Sequence, residues 1–380
     1  MKKTCKPSAR IAVLLLAFLL ALTLLTGCMP KNTPAPADTS SQPVDDTPAT
    51  VSFTDSSGRT VEIPSHITRV TPSGAVATMF LLGVCPEYLV SINATPADDQ
   101  IHYFPQQIAS LPATGQLYGS KSTLNLEELL ACDPQIVIDL GDYKKGIADD
   151  LDALQAQIGI PVIFIQADLD HMEEAFRTLG RILEGKESRG NELADYVKET
   201  LALADANRAK LKEDEVVSAM YTSGASGLDT NCKGSTQAQV LERVGVENAV
   251  VLETVSNKGG GNTINMEQLY QFDPDVILFT TGSIFSSVAE DSTWKNLTAI
   301  RNDSYYEIPG VPYNWLSNPP SLNMILGIRW LGALLYPQYY TYDMKAEAQR
   351  FYKLMWGYTL SDAEVNALLA GSIVKARAAK

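Results

Sequence analysis

The segment "STLNLEELLACDPQIVIDLGD" (residues 122–142) is written a second time as "NTINMEQLYQFDPDVILFTTG" (residues 262–282). Thr123, Asn125, Glu127, Leu129 and Asp133-Pro134 correspond to Thr263, Asn265, Glu267, Leu269 and Asp273-Pro274, every pair 140 positions apart (263 − 123) without a gap. In a chain of 380 residues, long enough for two ordinary lobes, a repeat at that distance predicts two lobes of like topology.

Each copy has a local logic. Asn125 and Asn265 are N-cap candidates, with Glu128 and Gln268 three residues on as capping-box partners. The short helices are predicted to end at Asp-Pro, because the residue before proline is pushed out of the helical region. The apolar runs "QIVIDL" and "DVILFTT" then read as strands buried on both faces of a parallel sheet. Flanking text alternates helix, glycine turn and strand in the same way. The fold class is therefore α/β: two similar Rossmann-like lobes with parallel sheets, residues 51–184 and 216–380, with a ligand cleft between them. Residues 185–215 carry Leu193, Tyr196, Val197, Leu201 and Ala204 at helical spacing with no proline. They predict one long connecting helix; Gly190 near its start leaves two shorter helices as the alternative.

The N-terminus is separate. "MKKTCKPSAR" is basic and residues 11–25 are apolar, too short for a comfortable span, which reads as an export signal over residues 1–27. "LTGC" ends it at Cys28; residues 28–50, rich in Pro, Ser, Thr, Ala and Asp, read as a flexible tether. Losing the four cations of the signal takes the net charge from −14 to −18, which argues against a nucleic-acid partner. Cys85, Cys132 and Cys232 remain, an odd number that fixes no disulfide framework: one bridge, Cys85 to Cys132, or three free thiols.

Lipobox-like "LTGC", tether, doubled N-[LM]-E-x-L…D-P-x-[IV] unit, bridging helix, "QVLERVGVENAV" (residues 239–250) and "YNWLSNPPSLN" (residues 313–323) together resemble the substrate-binding lipoproteins of ABC importers for iron-siderophores, haem and cobalamin. The resemblance implies lipid attachment at Cys28, anchoring to the bilayer outside the cytoplasm, and docking of one glutamate per lobe onto arginines of a permease dimer; the matching positions are Glu127 and Glu267. It also implies a capture protein with no cofactor of its own, whose ligand is an iron complex (siderophore or haem) or related metal chelate. Both glutamates also sit where a helix dipole favours an acid without any partner.

Ligand loops lie at the carboxyl ends of parallel strands. Here these are residues 72–74, 93–103, 116–121 and 141–145 of the first lobe and 221–231, 256–261, 282–285 and 313–318 of the second. Tyr103, Tyr118, Tyr143, Tyr221, Phe285, Tyr313 and Trp315 would suit a flat ligand, and Lys121, Lys144, Lys145 and Lys258 an anionic one, unless they are merely solvated. The candidate ligand contacts are Ser73, Tyr118, Tyr143, Lys144, Tyr221, Asn314, Trp315 and Asn318. Trp315 matches the cleft tryptophan of the resembled family. Asn318 stands about where many siderophore binders have an arginine, which keeps cobalamin and an oxyanion such as molybdate open. Bare zinc or manganese is disfavoured, since His66, His102 and His171 are the only histidines and only His102 falls near the cleft. An exported α/β hydrolase is the competing class, but no G-x-S-x-G, H-E-x-x-H or Walker loop occurs; a ligand sensor is a third. "KGGGN" (residues 258–262) reads as a permissive turn.

Overall fold

In the computed structural model, residues 49–119, 122–257 and 259–372 are described. The expected export segment, Cys28, most of the expected tether, Lys121 and Lys258 lie outside the described residues. The chain enters through an antiparallel hairpin, β1 (Thr50–Thr54) and β2 (Thr60–Pro64). The repeat gives no sign of it. Its turn is built by Asp55, whose Oδ1 accepts from the amides of Ser57 (2.9 Å) and Arg59 (3.1 Å).

The first lobe follows as β3 (Val70–Pro72), α1 (Ala75–Val84), α2 (Asp98–Ile101), α3 (Leu126–Ala131), β4 (Ile136–Gly141), α4 (Ile147–Ile158), β5 (Val162–Gln166) and α5 (Met172–Ile182). Its sheet is parallel in the order β3-β4-β5. All six residues of β4 are buried, as expected for a strand covered on both faces. The bridging element is one uninterrupted helix, α6 (Glu187–Arg208), of 22 residues, about 33 Å long at 1.5 Å per residue.

Gly190 lies inside α6 and does not break it. A Cβ there would meet the Phe176 carbonyl oxygen at 2.5 Å and Gly180 Cα at 2.7 Å. Glycine is the residue that lets α5 and α6 touch backbone to backbone. Gly190→Ala should therefore cost about 1–3 kcal/mol through overpacking, read as a lower urea midpoint with an unchanged m-value.

The second lobe comprises β6 (Ser218–Ser223), β7 (Asp229–Thr230), α7 (Gln239–Val244), β8 (Glu247–Asn248), β9 (Asn262–Thr263), α8 (Met266–Phe272), β10 (Val276–Phe279), α9 (Thr298–Arg301) and β11 (Tyr305–Glu307). Strands β11, β10, β6 and β8 are parallel, but β7 pairs antiparallel with β6 and with β9. The expected parallel sheet is present in β11, β10, β6 and β8, and β7 and β9 extend it by antiparallel pairing. The cause is local: Gly224 and Gly227, both at positive φ (76° and 70°), turn the chain straight back after β6.

Three helices complete the described residues: α10 (Asn323–Leu335), α11 (Met344–Trp356) and α12 (Asp362–Leu369). They do not belong to the second lobe alone. α11 packs on α1, and Met355, Leu193 of α6 and Leu322 converge around Gly83 of α1. One apolar core thus runs from Phe80 and Phe176 through Leu193 to Ile325 and Phe351. Among the described residues no helix is long and apolar enough to cross a membrane. Cys85, Cys132 and Cys232 are free thiols.

Candidate ligand cleft

The first wall is built at the ends of β3 and β4. β4 carries one carboxylate in an apolar run, Asp139, only 3% exposed. Ser73, directly after β3, donates its hydroxyl to Asp139 Oδ1. Asp139 Oδ2 has no hydrogen-bond partner among the described residues. Burial pushes this carboxyl up, while the Ser73 bond and the Lys144 ammonium pull it down. Lys144 is exposed, and its Nζ lies 4.2 Å from the centre of the Tyr118 ring. The Tyr118 hydroxyl donates to Asp150 Oδ2 at 3.3 Å. Burial, then Asp139 and Asp150, push the Tyr118 phenol up. Tyr143 is 55% exposed beside Lys144. Ser73, Tyr118 and Lys144 are thus gathered around Asp139, with Tyr143 at the rim. Asp139 itself escaped the sequence reading, although a lone acid inside "QIVIDL" was the available signal.

The second wall is more deeply buried than expected. Tyr221 on β6 is 1% exposed; burial raises its phenol and a bond with Ser317 lowers it. Asn314 folds the loop onto itself: its Oδ1 accepts from the amides of Leu316 (3.0 Å) and Ser317 (3.2 Å), and Asn323 donates to its carbonyl. Trp315 is 2% exposed, with Nε1 donating to the Tyr352 hydroxyl at 3.4 Å. A Cβ on Gly327 of α10 would lie 2.0 Å from the Trp315 carbonyl oxygen, so helix and loop are in direct backbone contact.

Trp315, Tyr221 and Tyr103 are therefore core residues here and not cleft-facing aromatics. For Trp315 and Tyr103, apolar burial against α10 and α11 outcompetes exposure for rings of this size. Phe285 stacks within the second lobe on Phe279 and Tyr305, and Tyr313 is half-buried against Phe104 and Trp356. Asn318 is exposed in a left-handed conformation (φ 69°), and its Oδ1 would lie 3.5 Å from a Cβ on Gly259. Gly261 has φ 72°, and a Cβ there would lie 2.2 Å from the Thr230 carbonyl oxygen, so this turn does require glycine. Near it, Asn231 is 1% exposed, and neither its Oδ1 nor its Nδ2 has a hydrogen-bond partner among the described residues.

The walls touch. Gln100 Nε2 donates to the Pro312 carbonyl at 2.7 Å, Arg243 Nη1 pairs with Asp170 Oδ1 at 3.0 Å, and the Thr236 side chain hydrogen-bonds Asp142. A cavity of about 90 Å³ lined by Ala75, Thr78, Asn93, Gln100 and Tyr313 lies at this junction. His102 is exposed and stacks on Tyr103 at 3.8 Å between ring centres. Among the described residues, no group of three or more His, Cys, Asp or Glu side chains is placed to hold a metal ion.

On the outer side, the two copies of the repeat form α3 and α8, each leading into a strand paired on both sides, β4 or β10. Glu127 and Glu267 are both exposed. Asn125 and Asn265 cap their helices as expected, accepting from Glu128 N (3.2 Å) and Gln268 N (2.9 Å). The full capping box closes in the second copy, where Gln268 Oε1 accepts from Asn265 N. Each helix gives way to an aspartate with positive φ before its proline, Asp133 (49°) or Asp273 (30°); this leaves the helical region, but into a left-handed conformation that aspartate tolerates and not the extended one usual before proline.

Two α/β lobes on a single bridging helix, with facing strand ends, define a solute-binding protein of the two-lobed kind. Residues 76–312 match the model of the periplasmic binding protein family, and the chain belongs to that family. It is 23% identical over 328 residues to the ABC transporter substrate-binding lipoprotein YvrC of Bacillus subtilis, covering 84% of this chain and 96% of that one. Among solved structures it resembles an ABC transporter solute-binding protein from Sulfurospirillum deleyianum (28% identity, TM-score 0.76, 84% of this chain and 99% of the other). It also shares its fold with the molybdate-bound periplasmic binding protein MolA of Haemophilus influenzae (18% identity, TM-score 0.66, 82% and 99%). The family is one of solute-binding proteins of ABC transporters, which bind small molecules and work with a membrane permease, and not of enzymes.

Proposed function

We propose that this chain captures an anionic metal chelate, an iron complex of the siderophore or haem kind, and delivers it to an ABC permease while lipid on Cys28 holds it at the outer membrane face. One observation carries the ligand class. The rim after β4 offers an exposed ring, Tyr143, next to an exposed cation, Lys144, itself seated 4.2 Å over Tyr118. A flat or conjugated anion can stack on the first and pair with the second. The cavity at the lobe junction, about 90 Å³, is far below the roughly 300–1,000 Å³ of small-molecule sites. Capture of a chelate then requires the Gln100–Pro312 and Arg243–Asp170 contacts to open. A second reading, a small oxyanion, is favoured by the buried and unpartnered amide of Asn231, which offers uncharged hydrogen bonds suited to a compact polyoxo ligand.

Calorimetric titration of purified residues 29–380 with haem, a ferric catecholate chelate and molybdate separates the readings. A chelate is expected to bind, with Kd raised about tenfold by Lys144→Ala, the equivalent of about 1.4 kcal/mol. Melting should not change, because Lys144 is exposed. Binding of molybdate with no chelate response would replace the first reading with the second. Tight binding of free zinc would overturn both.

A further inference from the structure

Two of the large apolar side chains left exposed on this molecule are Leu130 (44%) and Tyr270 (40%). They occupy the same slot of the repeat, 140 positions apart (270 − 130). Each lies three residues after its glutamate, hence on the same helix face as Glu127 or Glu267. Each directly follows a leucine, Leu129 or Leu269, that is 0% exposed and roots the helix in its lobe. A single exposed leucine needs no explanation. Recurrence of a large exposed apolar group at one slot in both lobes is different: the slot stays apolar, as Leu or Tyr, where Ala131 has become Gln271 and Gln135 has become Asp275. What the two copies keep on the outer face is a carboxylate with an apolar group one turn away. The Tyr270 hydroxyl donates to the Thr293 carbonyl, so its ring is held in place before any partner arrives.

We infer that Leu130 and Tyr270 are paired apolar anchors that seat in two equivalent hollows of the permease dimer, each hollow beside the cation that receives Glu127 or Glu267. The inference rests on the docking reading of those glutamates and extends it. The partner is a twofold membrane protein presenting a basic group next to an apolar pocket, twice. Charge complementarity supports this choice over lipid: the chain's net charge is −14 and both helices present acid, which opposes approach to an anionic headgroup surface. A bilayer also offers nothing that matches a duplicated slot. Buried apolar anchors ringed by charge are the usual carriers of interface affinity.

The test measures binding of lipid-free residues 29–380, which contain the compact unit Thr47–Lys380, to the purified permease–ATPase complex in nanodiscs, over a range of salt. Leu130→Ser with Tyr270→Ser should weaken binding about tenfold or more with the salt dependence unchanged. Tyr270→Phe, which keeps the ring but loses its tether to Thr293, should weaken binding far less than the Ser change. Glu127→Gln with Glu267→Gln should weaken binding and flatten its salt dependence. Wild-type affinity in the Ser double variant, with the Gln pair impaired, would overturn the inference and leave the docking reading standing. Wild-type affinity in both would remove the docking reading and the inference with it. Equal binding to empty nanodiscs would assign the apolar pair to lipid and overturn the proposal. If the Ser double variant melts lower, Leu130→Gln with Tyr270→Gln, better helix formers, repeats the comparison.

Discussion

Arg329→Met is expected to destabilise the protein by about 3–5 kcal/mol, the usual cost of stranding the partners of a buried ion pair. Arg329 sits on α10 with its side chain 3% exposed. Nε donates to Thr200 Oγ1 at 2.8 Å, Nη2 pairs with Glu199 at 2.6 Å, and Nη1 pairs with Glu347 at 3.0 Å. The guanidinium lies 4.8 Å from the centre of the Tyr196 ring. One side chain thus joins the connecting helix α6 to α10 and α11. Methionine would leave Glu347, 14% exposed, without that partner. Replacing Glu347 by leucine in the same chain should recover much of the loss, since an all-apolar substitute is often no worse than a buried pair. Glu199 gives a pH signature. Bonds from Arg350, then Arg329, hold its carboxyl at about 2 against an ordinary 4.5. A depressed carboxylate stabilises the fold above its unfolded value, so this contribution is present above pH 4.5 and disappears as pH falls toward 2. Its side chain is 49% exposed, which screens the effect; the variant should show it as a shallower loss of stability in acid. Urea midpoints across pH check both statements, and a wild-type midpoint for Arg329→Met at neutral pH would refute the first.

Arg329 marks the limit of what the sequence could reveal. The repeat disclosed α3–β4 and α8–β10, including both asparagine caps, because these depend on residues within a few positions of one another. The single bridging helix was legible for the same reason: its apolar spacing is local. The purpose of Gly190 was not, because the backbone it admits belongs to α5 as well as α6. Nor was the placement of Trp315, Tyr221 and Tyr103. An aromatic on a loop at a strand end reads as cleft-facing until something covers it, and the cover of Trp315 and Tyr103, α10 and α11, arrives from far along the chain. Asp139 is the reverse instance. Its burial was implied by its strand, yet its partners, Ser73 and Lys144, meet it only once β3 and β4 are paired. Composition placed the charge on this protein correctly as acidic but could not say that Lys144 would be held over Tyr118.

Replacing Glu127 and Glu267 together by lysine is expected to abolish delivery to the permease while leaving the fold and ligand affinity as they are. Both side chains are exposed on helices of only 6 and 7 residues. If they serve only the helix dipole, the cost is about 0.3–1 kcal/mol of stability per site, and transport continues. If they meet basic groups on two permease subunits, each lost pair costs about 2–5 kcal/mol of docking free energy, and lysine adds repulsion to the loss. A single reversal leaves the other lobe engaged, so the double change should exceed either one; two contacts in one docking event share their association entropy. The fold argues for this outcome. α3 and α8 lead into strands paired on both sides, β4 and β10, and a mount on regular structure gives a docking carboxylate a fixed geometry. The measurement is ATPase activity of the reconstituted permease complex stimulated by each variant, alongside urea midpoints. Full stimulation by the double lysine variant would mean that the glutamate recurs at 127 and 267 for its helix and not for a partner.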